Sequence, residues 1–317
     1  MSDVWDATIT VDGVEIRYRY HKSGPKPKAK VLILPGFTEF VEKHEETANH
    51  FAAMGVDSLI LDWPGQGLSG RLSPEYPLAI HADGFEFHFK ALNAVADDAG
   101  YLSSGLPVFL FGHSMGGHLA LRFGSMMKAR PCGVILSAPM IMPPVQPPWL
   151  ILALARGIGL LPFVAKAPVM FRHSRGRDET FFPENVLTRD AEGYALQVNW
   201  WKSNPRLKTT GPTYGWVRTA YQSCSDTTAN PSWMSRLDLD VSAHVPLDEV
   251  VVSLKHSLDC LPKIPGIEIY EYKDAMHELL LELPGVRKLF WQRVERFVEK
   301  CLAARTKETT KDRPKVR

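Results

Sequence analysis

Two spacings alternate along the first 140 residues of the chain. Short apolar runs at Val31–Leu34, Ser58–Leu61, Val108–Phe111 and Val134–Leu136 are separated by longer stretches of helical spacing near 39–54, 84–98 and 115–128. Runs this short and continuously apolar suit strands buried on both faces, and their alternation with helices predicts an α/β protein with a doubly wound, mostly parallel sheet. Upstream, Ala7–Val11 and Val14–Tyr20 flank Asp12-Gly13. That dipeptide tolerates positive φ, so the pair reads as an N-terminal hairpin.

Between Pro139 and Thr228 the pattern lapses into proline-rich and aromatic-rich sequence, including Pro143-Pro144, Pro147-Pro148-Trp149 and Trp200-Trp201. Alternation then resumes with a strand at Val241–Val245, a helix over 250–260, a strand at Ile267–Tyr272 and a helix over 284–303. The organisation predicted is a core of residues 1–139 and 229–306 with helices on both faces of the sheet, and a cap inserted at 140–228. Residues 307–317 are polar and basic without apolar periodicity, which predicts a disordered tail.

Composition narrows the picture. The 317 residues are 45% hydrophobic, enough for one large core with an insertion. With 37 basic and 35 acidic side chains the net charge is +2, too balanced to gather nucleic acid. Cys132, Cys224, Cys260 and Cys301 form no CxxC pair, so they predict neither a metal site nor a disulfide framework. The opening Met-Ser-Asp-Val-Trp-Asp carries no secretory signature, and a cytoplasmic location is expected. Trp149–Ala165, the longest apolar stretch, is broken by Arg156, Gly157, Gly159 and Pro162. It falls short of the roughly 20 residues that span a bilayer, leaving peripheral contact through the cap as the form of membrane association expected.

The chemistry is carried by Gly112-His113-Ser114-Met115-Gly116, a G-x-S-x-G pattern between an apolar strand and a helical stretch. Small flanking residues permit the sharp strand-to-helix turn that exposes a serine hydroxyl, which predicts Ser114 as a nucleophile. A serine needs a histidine base and an acid to orient it, in the chain order Ser, acid, His. His277 follows the last predicted strand, at the carboxyl edge where open α/β sheets place their sites. Asp238, Asp240, Asp248 and Asp259 all fall in the region of the acid. Asp248, just after the strand at Val241–Val245, is the choice, with Asp240 in reserve. Backbone N–H groups of Met115 and of Phe37, in Leu34-Pro35-Gly36-Phe37-Thr38, are the expected oxyanion donors. The glycine-rich Asp62–Gly70 lacks the phosphate-loop pattern and reads as a structural turn.

Leu34-Pro35-Gly36-Phe37, Gly65-Gln66-Gly67-Leu68-Ser69, Gly112–Gly117, Asp248-Glu249-Val250-Val251 and His277-Glu278 together resemble the monoacylglycerol lipase and bacterial lysophospholipase branch of the α/β-hydrolases. Pro35-Gly36, where many lipases of the branch have His-Gly, and Gly211-Pro212-Thr213-Tyr214-Gly215-Trp216 look more like the bacterial group. The resemblance implies an α/β-hydrolase fold, Ser114, Asp248 and His277 as the triad, and hydrolysis of a lysophospholipid or monoacylglycerol ester without metal or organic cofactor. Trp149, Leu150, Leu152, Leu160, Leu161, Phe163, Phe171, Phe181 and Phe182 are candidates to wall an acyl pocket. Arg172, His173, Arg175 and Arg177 are candidates to face a phosphate headgroup or to form a solvated loop. A small-ester hydrolase, thioesterase or peptidase could use the same triad, and a non-catalytic binding protein could keep the fold.

Overall fold

The structure, a computed structural model, describes residues 4–144, 162–169, 180–182 and 184–311. Its centre is an eight-stranded sheet: β1 (Val4–Val11), β2 (Val14–His21), β3 (Ala29–Leu34), β4 (Val56–Leu61), β5 (Val108–His113), β6 (Gly133–Ser137), β7 (Val241–Pro246) and β8 (Glu268–Tyr272). The spatial order is β1-β2-β4-β3-β5-β6-β7-β8. β2 is antiparallel to both neighbours, and the other pairings are parallel. The β1–β2 turn places Asp12 at φ 48° and Gly13 at φ 81°, the two positive values its dipeptide favours.

Successive side chains of a strand serve opposite faces. Leu32, Leu34, Leu110, Val134 and Leu136 pack into a core shared with α2 (Glu86–Asp98) and α3 (Met115–Met126). Their neighbours Val31, Ile33, Phe109, Phe111 and Ile135 pack into a second core with α1 (Glu45–Ala53) and Phe290, Trp291, Val294 and Phe297 of the C-terminal helix. This two-sided burial is why the central strands read as uninterrupted apolar runs. Between β6 and β7 the described residues hold no strand; they supply α4 (Ala191–Ser203) and α5 (Tyr214–Asp226).

Strand ends differ from expectation by one to three residues, and three helix boundaries differ in ways that matter below. The helix expected over 39–54 is a 3₁₀ turn, Val41–His44, running into α1. The helix expected over 250–260 begins only at Leu254, as α6 (Leu254–Cys260), because Ser253 caps it through the His256 N–H. Residues 247–253 are therefore loop, which matters for the acid. The last helix, α7, runs over Pro284–Lys311, so residues 307–311, expected in a disordered tail, are helical. Ala303, Ala304, Arg305 and Lys307 favour a helix without an apolar face, and the first breaker is Pro314. Residues 312–317 lie outside the described residues.

A buried ion network ties the N-terminal hairpin to the sheet's carboxyl edge. Arg17 on β2 reaches Glu42 at 2.5 Å, Asp62 at 3.2 Å and Asp6 at 2.7 Å. Asp62 in turn accepts the backbone N–H groups of Val41 and Leu68. Burial raises the Asp62 carboxyl to about 6, even though the Arg17 charge and both N–H groups pull it down. All four cysteines are buried and unpaired. Burial pushes the thiol of Cys132 up to about 11 and those of Cys224 and Cys301 up to about 12.

Replacing Arg17 by Met should destabilise the fold by about 3–5 kcal/mol at pH 8, because Asp62 is left as a buried, uncompensated carboxylate. A carboxyl whose folded pKa lies above its unfolded value costs stability while ionised and stops costing it once protonated. The wild type to Arg17→Met difference should therefore shrink as pH falls from 8 to 5, which urea unfolding at the two pH values would measure.

Candidate active site

β5 ends in a turn that only small neighbours allow. A Cβ on Gly112 would lie 2.3 Å from the Gly116 carbonyl oxygen, and one on Gly116 would lie 1.8 Å from the Leu34 carbonyl oxygen. Glycine at both positions lets α3 start directly against the ends of β3 and β5. Ser114 sits between them at φ 52°, ψ −119°, outside the comfortable region for a residue with a side chain. The Ser114 N–H donates to the Ser137 carbonyl at 3.0 Å, and its own carbonyl accepts from Gly117 and Met140, each at 2.9 Å.

His277, in the loop after β8, places Nε2 2.9 Å from Ser114 Oγ. Its Nδ1 lies 2.6 Å from Glu249 Oε2. An ionised carboxylate only accepts, so Nδ1 carries the proton and Nε2 presents its lone pair to the serine hydroxyl. Burial opposes charge on His277, yet the Glu249 carboxylate, with Glu278 and Glu39 behind it, outweighs burial and raises the pKa above the ordinary 6.5. The second oxygen of Glu249 accepts from the N–H groups of Val251 at 2.7 Å and Val252 at 3.1 Å. These bonds fix the carboxylate in a loop that has no regular structure of its own.

The acid expected at Asp248 is thus one residue away from where the imidazole finds its partner. The Asp248 side chain is 46% exposed and pairs with Arg189 at 2.6 Å. Arg189 holds the Asp248 carboxylate outward, and the inward position falls to Glu249, whose side chain is 2% exposed. Asp240, the reserve, pairs with Arg130 at 3.1 Å and is 57% exposed.

Behind the imidazole lies a buried charge cluster that the sequence did not announce. Lys43 contacts Glu39 at 2.5 Å and Glu278 at 2.7 Å, His44 contacts Glu39 at 2.9 Å, and His113 lies 3.4 Å from Glu278. Burial would push both carboxyls up, but the Lys43 ammonium, with His113, holds them below the usual carboxylate range. Glu39, His113 and Glu278 are the one group of possible metal ligands among the described residues, their ligand atoms within 4.8 Å of one another. Lys43 already supplies the positive charge between those carboxylates. Glu39 also accepts the Gly36 N–H, while Gln66 accepts from the Thr38 N–H at 3.1 Å and donates to the Gly36 carbonyl at 3.0 Å. Thr38 is held at φ 68°. The N–H groups of Phe37 and Met115 have no acceptor among the described residues, which leaves them free for a ligand oxygen.

A cavity of about 380 Å³ opens over Ser114, lined by Phe37, Pro144, Val186, Leu187, Val250 and Val251. Val186 and Leu187 belong to the segment between β6 and β7, which is tied to the histidine loop by the Glu278 N–H to Leu187 carbonyl bond at 2.8 Å. Phe181 and Phe182, expected along an acyl pocket, instead pack against Tyr194 of α4. Trp149, Leu150, Leu152, Leu160, Leu161, Phe171, Arg172, His173, Arg175 and Arg177 lie outside the described residues, as does the side chain of Phe163.

Residues 25–284 match the family described as serine aminopeptidase, S33. Along 305 aligned residues the chain is 27% identical to lysophospholipase L2 of Escherichia coli, covering 91% of this chain and 87% of that one. It is 32% identical to human monoglyceride lipase over 136 residues, 42% of each chain. Among solved structures, a soluble variant of the Saccharomyces cerevisiae monoglyceride lipase in complex with a substrate analogue superposes with a TM-score of 0.74 at 19% identity, covering 93% of this chain and 94% of that one. That likeness shows the α/β-hydrolase fold.

If the geometry activates Ser114, a fluorophosphonate should label it in the wild type and not in Ser114→Ala. Glu249→Gln should slow labelling by about 10³-fold or more, as loss of a triad acid does, while Asp248→Asn should label at close to the wild-type rate. Slow labelling by Asp248→Asn with normal labelling by Glu249→Gln would return the acid to Asp248.

Proposed function

The chain belongs to the serine aminopeptidase S33 family and is a serine hydrolase, and from that premise we propose that Ser114, His277 and Glu249 form the triad of an acyl-enzyme esterase acting on lysophospholipids or monoacylglycerols. The observation that carries this reading is the continuous relay from Ser114 Oγ to His277 at 2.9 Å and on to Glu249 at 2.6 Å, at the floor of the cavity.

In this mechanism Ser114 Oγ attacks the ester carbonyl carbon as its proton passes to His277 Nε2. Glu249 keeps the imidazole in the receiving tautomer and stabilises the imidazolium. The alkoxide that forms accepts hydrogen bonds from the Phe37 and Met115 N–H groups. Collapse breaks the ester C–O bond, and the alcohol leaves with the proton from His277. Water, deprotonated by the same imidazole, then attacks the acyl-enzyme, releasing the fatty acid and restoring Ser114. The lipid substrate is supported by the length of the alignment to lysophospholipase L2, which takes in the segment between β6 and β7 as well as the sheet. Residues of that segment line the cavity, so entry of an amphiphile and peripheral contact with a membrane surface both run through it in this reading. Among the described residues no helix is long and apolar enough to cross a membrane.

Purified wild type should release fatty acid from a long-chain lysophospholipid and from the matching monoacylglycerol, and Ser114→Ala should release neither. Inactivity of the wild type on both, together with turnover of short esters, thioesters or peptides, would overturn the lipid assignment and leave the triad standing.

The sign of the pH dependence follows from His277. The imidazole must be neutral to accept the serine proton, and its pKa is raised. As pH falls, kcat/KM should therefore begin to drop above 6.5, the ordinary value for histidine. In Glu249→Gln the residual activity should lose this limb to lower pH, because the charge that raises the pKa is gone. A pH–rate profile of the two proteins measures both.

A further inference from the structure

The segment Gly211-Pro212-Thr213-Tyr214-Gly215-Trp216 has no part in the relay, yet it is bound to the core by a run of backbone and side-chain hydrogen bonds. The Ile80 N–H donates to the Gly211 carbonyl at 3.0 Å, the Thr213 N–H to the Ile80 carbonyl at 2.9 Å, and the Thr210 N–H to the Leu78 carbonyl at 2.7 Å. Thr213 then starts α5: its hydroxyl accepts the Trp216 N–H at 3.2 Å and bonds His81 Nδ1 at 2.9 Å. One turn on, the Thr219 hydroxyl donates to the Ala82 carbonyl at 3.0 Å. Gly215 presses on the same wall, since a Cβ there would lie 2.6 Å from His81 Cε1.

The product of this docking is a single aromatic contact. Trp216, 7% exposed, meets the ring of Phe37 with centroids 4.2 Å apart and planes tilted by 46°. The Phe37 N–H is one of the two without an acceptor among the described residues, and Phe37 lines the cavity that opens over Ser114. Its backbone is held from below by the Glu39 and Gln66 bonds to Gly36 and Thr38. Among the described residues Trp216 is the aromatic ring that bears on Phe37, and Trp216 is not among the residues lining the cavity over Ser114.

We infer that Trp216 is a positioning residue for the oxyanion hole: through the Phe37 ring, α5 sets where the Phe37 N–H points, so the docking of the insertion governs turnover and not only access. The inference rests on the oxyanion role proposed for Phe37. Misplacing a donor by a fraction of an ångström weakens it in the transition state, where oxyanion bonds contribute most. The Trp216 indole N–H has no partner among the described residues, so the ring contact, and not a hydrogen bond, carries the effect.

The test compares wild type, Trp216→Leu, Trp216→Phe and Gly215→Ala on p-nitrophenyl acetate and p-nitrophenyl decanoate, with fluorophosphonate labelling rates and thermal melts. Trp216→Leu should lose about 10-fold to 100-fold in kcat, equally on both esters, with KM nearly unchanged and labelling slowed in parallel. Trp216→Phe should recover most of the loss. Gly215→Ala keeps both rings but pushes the start of α5 off His81, and should show the same chain-length-independent loss. It decides the matter if Trp216→Leu does not fold: wild-type turnover in Gly215→Ala then overturns the inference. A Trp216→Leu defect that appears in KM or grows from acetate to decanoate would make the ring an acyl-chain wall and overturn it as well. A wild type that neither labels nor hydrolyses either ester would instead overturn the esterase reading, and this inference with it.

Discussion

The site depends on one close approach, that of Gly116 to the last carbonyl of β3. There is no room for a single carbon atom between the first turn of α3 and the Leu34 carbonyl. That contact brings the serine at the end of β5 beside the loop that leaves β3, and Gly36, Phe37 and Thr38 of that loop line the same cavity as Ser114. It also forces Ser114 into a backbone conformation that costs about 1–3 kcal/mol. The surrounding hydrogen bonds to Ser137, Gly117 and Met140 over-determine the turn and hold it there.

Electrostatics reinforces what packing begins. Glu39 belongs to the β3 exit loop, His113 to the end of β5 and Glu278 to the histidine loop, and Lys43 sits between the two carboxylates. Ions this deeply buried are expensive unless paired and hydrogen-bonded. Here Lys43 binds Glu39 on its own segment and Glu278 on the histidine loop, and Glu278 also faces His113, so the three segments share one electrostatic anchor. Arg17 does the same one layer away, joining β2 to Asp62 and, through it, to the N–H groups of Val41 and Leu68.

How much of this could be read from the chain depended on whether a residue's neighbourhood is local. The central strands were legible because both faces are buried, so every residue from Val31 to Leu34 is apolar. The elbow was legible because its steric demand falls on residues two positions either side of Ser114. His277 followed from the topology of the sheet. Glu249 did not, because residues 247–253 lack a period that tells inward from outward, and an aspartate stands directly before the glutamate. The signal was present in the permitted order of serine, aspartate or glutamate, then histidine, but it takes the fold to show Asp248 turned out to Arg189 and Glu249 turned in to His277. The Glu39–Lys43–Glu278 cluster was equally hidden, since its members are up to 239 positions apart.

The four cysteines give the molecule an unusual chemical simplicity. Each thiol is buried, and burial raises the pKa of each, so near neutral pH almost no thiolate is available to an electrophile. No native thiolate therefore competes for an electrophile aimed at the paired Ser114 and His277. Acylating warheads normally set aside for indiscriminate attack on thiols become usable against this protein, and a single cysteine introduced on the surface could carry a dye or a spin label without touching the native four.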